Sequence, residues 1–193
     1  NGLLPIPAWR TDVGWNGLLD ASRFPSERDP GSGVVVMANQ RVGGAASPQT
    51  MSASSDRADR IRQLLQAGHR QMGGTLTERD MVQIQSDVYS LRADRVIGFL
   101  ANNLRLHPLG RRLLAWDRCM ERNSREATAF SRFCHGLLLA TTRGVLFPPE
   151  TLTAAEASPF FGINFQTIEE AWIVARPPFD IVDWDRLVPR VLD

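Results

Sequence analysis

The chain has 193 residues, of which 43% are hydrophobic and 22% are charged, proportions that are ordinary for a globular protein with a real core in one large domain or two small ones. Its formal net charge is +1, because 22 basic residues, all of them arginine, are mixed with 21 acidic ones. This balance argues against nucleic acid as a partner, and no apolar run reaches the ~20 residues of a membrane-spanning helix.

The first 55 residues combine an extended arm, one apolar run and a loop. Residues 1–32 are rich in Pro, Gly and Trp, which predicts an extended arm anchored by Trp9 and Trp15. Gly33 precedes five apolar residues, three of them β-branched, and these predict a short strand buried on both faces. Residues 41–55, with many Gly, Ala and Ser, are typical of a surface loop.

Asn39 ends the predicted strand. Its carboxamide can donate two hydrogen bonds from a fixed backbone position, which suits the donor of an oxyanion hole. An Asn at the end of a strand is nevertheless more often a turn former or a local backbone cap. From these residues alone, both interpretations stay open.

From Asp56 onward the apolar residues recur with a helical period. Ala58 and Ile61 begin the inner face of a short amphipathic helix. Thr77 is placed to cap a second helix through the amide near Asp80. The apolar stripe that follows fits either one long helix or two with a bend near Tyr89 and Ser90: Met81, Ile84, Val88, Leu91, Val96, Phe99 and Leu100.

The second half continues this helical pattern. The stripe after Pro108 comprises Leu109, Leu113, Trp116 and Met120. Asn123 or Ser124 is predicted to cap a further helix. Beyond Arg143, prolines separate short helical pieces near residues 151–157, 166–175 and 183–191.

The predicted fold is therefore mainly α with a short β portion. We divide the chain into an arm, strand and loop at 1–55, a helical core at 56–143 and a Pro-punctuated helical tail at 144–193. Cys119 and Cys134 lie in helical patterns among apolar neighbours, which favours two buried free thiols over a disulfide or a metal site.

No single motif in the chain identifies a reaction. A Gly-rich phosphate loop, a Gly-x-Ser-x-Gly elbow and a His-Glu-x-x-His pair are all missing from the sequence, so nucleotide, esterase and zincin chemistry have no support. The three histidines have no metal-ligand spacing, and we predict no metal. The first residues contain no secretory signal, and we expect the chain to be cut from a longer protein.

Seven short landmarks follow one another with specific spacing: Leu4-Pro5-Ile6-Pro7, Trp15-x-Gly17-Leu18-Leu19, Asp29-Pro30-x-x-Gly33-Val34-Val35-Val36-x-Ala38-Asn39, Asp56-Arg57-Ala58-Asp59-Arg60-Ile61, Leu76-Thr77-x-x-Asp80-Met81, Gln85-x-Asp87-x-x-Ser90-x-x-Ala93 and Leu114-x-Trp116-Asp117. In this order they resemble the β-subunit of the penicillin acylase (penicillin amidase) family. The resemblance covers roughly residues 3–120.

The resemblance implies an N-terminal nucleophile hydrolase with an αββα fold, which cleaves amide bonds through a serine acyl-enzyme. The resemblance implies that Asn39 is a donor of the oxyanion hole and that Arg57 supports the active site. Without the resemblance, Arg57 would be interpreted as an ordinary solvated charge on a helix. Gln40 stands where a second Asn is common, which we interpret as tolerated variation. Since Asn1 is not a Ser, Thr or Cys, we expect an interior piece of the β-subunit that is inactive alone.

The resemblance also implies partners and a location. The expected partners are the rest of the β-subunit, the α-subunit and a small N-acyl amide such as a β-lactam or an acyl-homoserine lactone, and the excised chain is expected to self-associate. The location implied is periplasmic or secreted. No cofactor is expected, since calcium, which many members bind, has no matching acidic positions in the loop 41–55. The alternative function is a non-catalytic helical interaction or scaffold module, for which the amphipathic stripes and the Trp-rich arm suffice.

Overall fold

A computed structural model describes residues 9, 10, 12, 17, 18, 20–40, 42, 54–71, 75–145, 172, 173 and 182–193. It divides into two compact units, residues 1–85 and residues 86–193. The described residues are mainly helical and form no strand, so the mainly helical class is confirmed and the predicted strand is wrong. The division into three parts stays a prediction. No helix in the described part of the chain is long and apolar enough to cross a membrane.

In the first unit, a short 3-10 turn at Ala21–Arg23 precedes two helices, α1 at Asp56–Gln71 and α2 at Glu78–Gln85, which pack against each other. The predicted cap of α2 is confirmed, because the backbone N–H of Asp80 donates to the Thr77 hydroxyl at 3.3 Å. The Asp80 carboxylate returns the contact by accepting from the Thr77 backbone N–H at 2.8 Å and from its hydroxyl at 2.6 Å. Together they form a capping box.

The apolar run after Gly33 is extended but is not buried on both faces. Val35 is 59% exposed and Met37 is 71% exposed, whereas Ala38 is 5% exposed. Five consecutive apolar residues become a doubly buried strand only where a layer covers each face, and the described residues cover one side of this segment. Trp9 is 83% exposed and so is not an anchor within the described residues, while Trp15 lies outside them.

The second unit contains five helices among its described residues: α3 at Leu91–Phe99, α4 at Ala101–Leu104, α5 at Pro108–Ala115, α6 at Arg125–Val145 and α7 at Trp184–Leu192. The central helix α6 packs against α5 and α7, and α4 contacts α3, α5 and α7. Their inner faces form one apolar core with Trp172, which lies between α6 and α7 in the chain. The core also includes Val96, Ile97, Leu100, Leu104, Leu113, Phe130, Phe133, Leu137, Leu138 and Val188.

The stripe from Met81 to Leu100 is divided between α2 and α3, and Val88 lies in the segment between them. Ser90 caps α3 by accepting from the backbone N–H of Ala93 at 3.1 Å. Just before this cap, Tyr89 forms an isolated antiparallel bridge with Cys119. A backbone that pairs in this way cannot continue a helix, which selects two helices over one long helix, the two alternatives that the sequence left open.

The same bridge corrects two predictions about the next segment. Helix α5 ends at Ala115, so Cys119 is partly exposed on a non-helical bridge instead of buried in a helix. Met120 is 39% exposed and lies beyond the buried stripe, which ends at Trp116. Cys134 is buried as predicted, and both cysteines are free thiols.

Two further elements agree with the sequence. Ser124 caps α6 by accepting from the backbone N–H of Ala127 at 3.1 Å, which selects Ser124 over Asn123. The helical piece predicted near 183–191 is α7, whose N-terminus is capped by Asp183. The helical piece predicted near 151–157 lies outside the described residues. Of the piece predicted near 166–175, the structure describes only residues 172 and 173.

Candidate functional site

Asn39 lies on an exposed turn at the end of the extended segment of the first unit. Its φ is +62°, in the left-handed region. This region costs most L residues about 1–2 kcal/mol, and Asn is among the few side chains that adopt it readily. The preceding Ala38 is buried, so the turn directs the Asn39 side chain from a fixed backbone into an accessible position.

Arg57 reaches this turn from the first helical turn of α1. Its Nη2 donates to the carbonyl oxygen of Ala38 at 2.8 Å and to Oδ1 of Asn39 at 2.5 Å. Ala58, which is 1% exposed, lies on the buried face of α1, and the adjacent Arg57 is therefore at the surface. The fold thus brings into contact the two predicted site residues, which are 18 positions apart in the chain.

The contact with Arg57 determines which way the Asn39 carboxamide faces. A guanidinium can only donate hydrogen bonds, so the Asn39 atom that faces it is the carbonyl oxygen. The Nδ2 amino group is therefore directed away from Arg57, and no described residue accepts a hydrogen bond from it. A fixed, accessible N–H donor of this kind can stabilise an oxygen that gains negative charge during a reaction.

Gln40 contacts the backbone on the other side of Asn39. Its Oε1 accepts from the backbone N–H of Ala38 at 2.6 Å, and its Nε2 donates to the carbonyl oxygen of Val36 at 2.7 Å. From the sequence, Gln40 was predicted to be only tolerated variation. Its amide reaches backbone groups two and four residues earlier because the left-handed turn at Asn39 brings the side chain back along the preceding segment. The only signal in the sequence was an amide that can donate and accept at once, which does not predict the turn.

Within the part of the chain that the structure describes, no group of three or more His, Cys, Asp and Glu side chains could hold a metal ion. The expectation of no cofactor therefore stays a prediction, with calcium left open for the full-length protein. What the arrangement offers chemically is hydrogen-bond donation by an amide and a guanidinium.

A cavity of about 440 Å³ in the second unit has a different character. It is lined by Trp116 and Cys119 together with charged side chains that include Asp117 and Glu121. Partial burial and the carboxylates of Asp117, Glu121 and Asp87 raise the pKa of the Cys119 thiol. A nucleophilic cysteine requires a lowered pKa, so this cavity does not support thiolate chemistry.

A family model described as penicillin amidase matches residues 1–189 of the chain. The chain is 30% identical over 155 residues to the penicillin acylase 2 proenzyme of Pseudomonas sp. (strain SE83), a match that covers 76% of this chain. It is 31% identical over 129 residues to the acyl-homoserine lactone acylase QuiP of Pseudomonas aeruginosa, which covers 65% of this chain.

These matches span a small share of the relatives. The aligned residues cover 19% of the penicillin acylase 2 proenzyme and 15% of the acyl-homoserine lactone acylase. A second acyl-homoserine lactone acylase QuiP, from Pseudomonas syringae pv. syringae, is 33% identical over 78 residues, which covers 39% of this chain and 10% of that protein. No solved structure matches the chain significantly.

Proposed function

Because this chain belongs to the penicillin amidase family, we propose that the full-length protein hydrolyses the amide bond of N-acyl substrates and that this chain supplies part of its active centre. The observation that carries the proposal is the contact between Arg57 and Oδ1 of Asn39. It leaves the Nδ2 amino group of Asn39 as an oriented donor, which is the feature that an oxyanion hole requires.

In the proposed reaction, an N-terminal serine outside the matched landmarks gives its hydroxyl proton to its own α-amino group and attacks the acyl carbonyl carbon. The carbonyl oxygen becomes an oxyanion, and Nδ2 of Asn39 donates a hydrogen bond to it. The C–N bond then breaks and the amine leaves with that proton, after which water, giving a proton to the same α-amino group, hydrolyses the acyl-enzyme through a second oxyanion and releases the serine. Arg57 holds Oδ1 of Asn39 in both steps and, as a permanent cation, adds a favourable field. The 193 residues are therefore expected to be inactive without the rest of the protein.

The test is a pair of substitutions at Asn39 in the full-length protein. Asn39→Gly removes the carboxamide. Gly is chosen instead of Ala because it adopts a φ of +62° without strain, whereas Ala would be strained there. Asn39→Asp keeps the shape and an oxygen for Arg57 but has no N–H to donate. Each variant is expected to lower kcat by about 10²–10³-fold, the usual loss when one oxyanion donor is removed.

The same experiment includes a folding control and a substrate panel. The thermal unfolding of both variants is expected to stay close to that of the unmodified protein, because the Asn39 side chain is exposed. Aromatic, fatty and dicarboxylic N-acyl amides, including an acyl-homoserine lactone, are compared as substrates. A kcat within threefold of the unmodified protein for either variant would contradict the oxyanion assignment. An inactive full-length protein would favour the scaffold module instead.

The partners and the location follow from the same proposal. The active centre needs the rest of the β-subunit and the α-subunit, and one relative is a proenzyme by name, which is consistent with processing into such parts. We propose a periplasmic or secreted location. Fractionation of cells that express the full-length protein tests this, and recovery with cytosolic markers would contradict it.

A further inference from the structure

Gln40, which directly follows Asn39, forms two hydrogen bonds with the backbone that precedes Asn39. The Gln40 carboxamide bonds the N–H of Ala38 and the carbonyl of Val36, which lie on the same edge of the extended segment. A neighbouring strand would normally occupy such groups in a sheet. Here one side chain occupies both, and the orientation of its amide is unambiguous because one atom faces a donor and the other faces an acceptor.

Arg57 bonds the remaining polar group of the same backbone position. Its Nη2 donates to the carbonyl oxygen of Ala38, so the N–H of Ala38 is held by Gln40 and its carbonyl is held by Arg57. Ala38 is 5% exposed and directly precedes Asn39. The two peptide groups that flank Ala38 are thereby held, and the second of them leads directly into the left-handed turn at Asn39.

We propose that Gln40 is a positioning residue, which holds the backbone of Asn39 so that the Asn39 amide donates in the correct direction to the oxyanion. This inference rests on the proposed function of Asn39. Gln40 itself touches no reacting atom. It acts through the backbone, because its two hydrogen bonds hold the main chain directly before the left-handed turn at Asn39.

Two substitutions in the full-length protein separate the contacts that Gln40 makes. Gln40→Met keeps a side chain of similar length but removes both hydrogen bonds. Gln40→Glu keeps an acceptor for the N–H of Ala38 and loses the donor to the carbonyl of Val36. We expect kcat to fall roughly tenfold for Gln40→Met and less for Gln40→Glu, with KM changed less than twofold, because the lost alignment acts on the transition state.

The matched controls carry the same chemical changes on an exposed glutamine of α1. Gln63→Met and Gln63→Glu are expected to leave both kcat and KM unchanged, since Gln63 is exposed on the helix surface. Gln40 variants that lose stability but keep kcat would overturn the proposal, because they would assign Gln40 a purely structural role. A rise in KM with unchanged kcat would also overturn it.

A double-mutant cycle distinguishes failure of this inference from failure of the proposed function. If Gln40 acts through the Asn39 amide, Gln40→Met adds less than a twofold further loss of kcat in an Asn39→Gly background. A full tenfold further loss would show that Gln40 acts independently of Asn39 and would overturn the inference alone. Normal kcat in Asn39→Gly by itself would instead overturn the oxyanion assignment.

Discussion

The apolar core of the second unit and the Asn39 turn of the first unit are stabilised by different kinds of interaction. The second unit has a continuous apolar core in which Leu137 and Phe130 are almost completely buried. In the first unit, the turn that carries Asn39 is framed by side-chain hydrogen bonds from Arg57 and Gln40, with Val35 exposed beside them. Burial gives a large and non-directional stabilisation, whereas hydrogen bonds give a small net stabilisation but fix direction. This turn therefore provides orientation of the Asn39 amide rather than bulk stability.

The largest effect on folding is expected from a cavity in the second unit. Leu137→Ala removes a side chain that is 0% exposed in the core of α6, and we expect the free energy of unfolding to fall by about 2–5 kcal/mol. The matched change in the first unit is Met37→Ala, where the side chain is 71% exposed and the expected change is within about 0.5 kcal/mol. Denaturant unfolding followed by far-ultraviolet circular dichroism measures both. Equal decreases in the free energy of unfolding for the two variants would mean that burial stabilises both segments to the same extent.

A pair of glycines tests how tightly the second unit is packed. A Cβ on Gly110 of α5 would lie 2.1 Å from the carbonyl oxygen of Leu104, a backbone atom that cannot rotate away. We expect Gly110→Ala to destabilise the chain by about 1–3 kcal/mol. Gly98 of α3 has nothing within 4 Å of the same position, so Gly98→Ala should stabilise it by about 0.5–1 kcal/mol through helix propensity. Thermal unfolding measures both changes. Shifts of the unfolding temperature in the same direction for the two variants would contradict the close packing inferred at Gly110.

The smallest effect is expected at the exposed cap of α2 in the first unit. Hydrogen bonds from the Thr77 hydroxyl and backbone N–H lower the pKa of Asp80 from its ordinary value of 3.8. Because the pKa is lower in the folded state, the cap contributes fully above pH 3.8 and loses its contribution as the pH falls through the lowered pKa.

Nuclear magnetic resonance titration of the Asp80 carboxyl carbon measures this pKa directly. Thr77→Ala should move the pKa of Asp80 part of the way back towards its ordinary value, because the backbone N–H of Thr77 still donates. Thr77→Ser keeps the hydroxyl and should keep the lowered pKa. The same pKa in all three proteins would exclude the hydroxyl as its cause.

Local features of the helices could be predicted from the sequence because they depend on neighbours in the chain. Thr77 and Ser124 cap the helices as expected, since a capping hydroxyl bonds an N–H only three residues later. The prediction failed at Val35 and Met37, which sit in an apolar run but are exposed. Their burial depends on whether distant segments cover both faces, and no local pattern encodes that.

The family can be read from the sequence, because the landmarks that include Asn39 and Arg57 follow one another in a specific order and spacing. The same landmarks identify those two residues as candidates. The fold adds that Arg57 bonds the oxygen of Asn39, which leaves its N–H groups to donate, and that Gln40 bonds the backbone on the other side of the turn. The physical reason is that a sequence specifies which groups can donate or accept. Which partner each group meets, and therefore which way an amide faces, is set by a fold that brings together residues 18 positions apart.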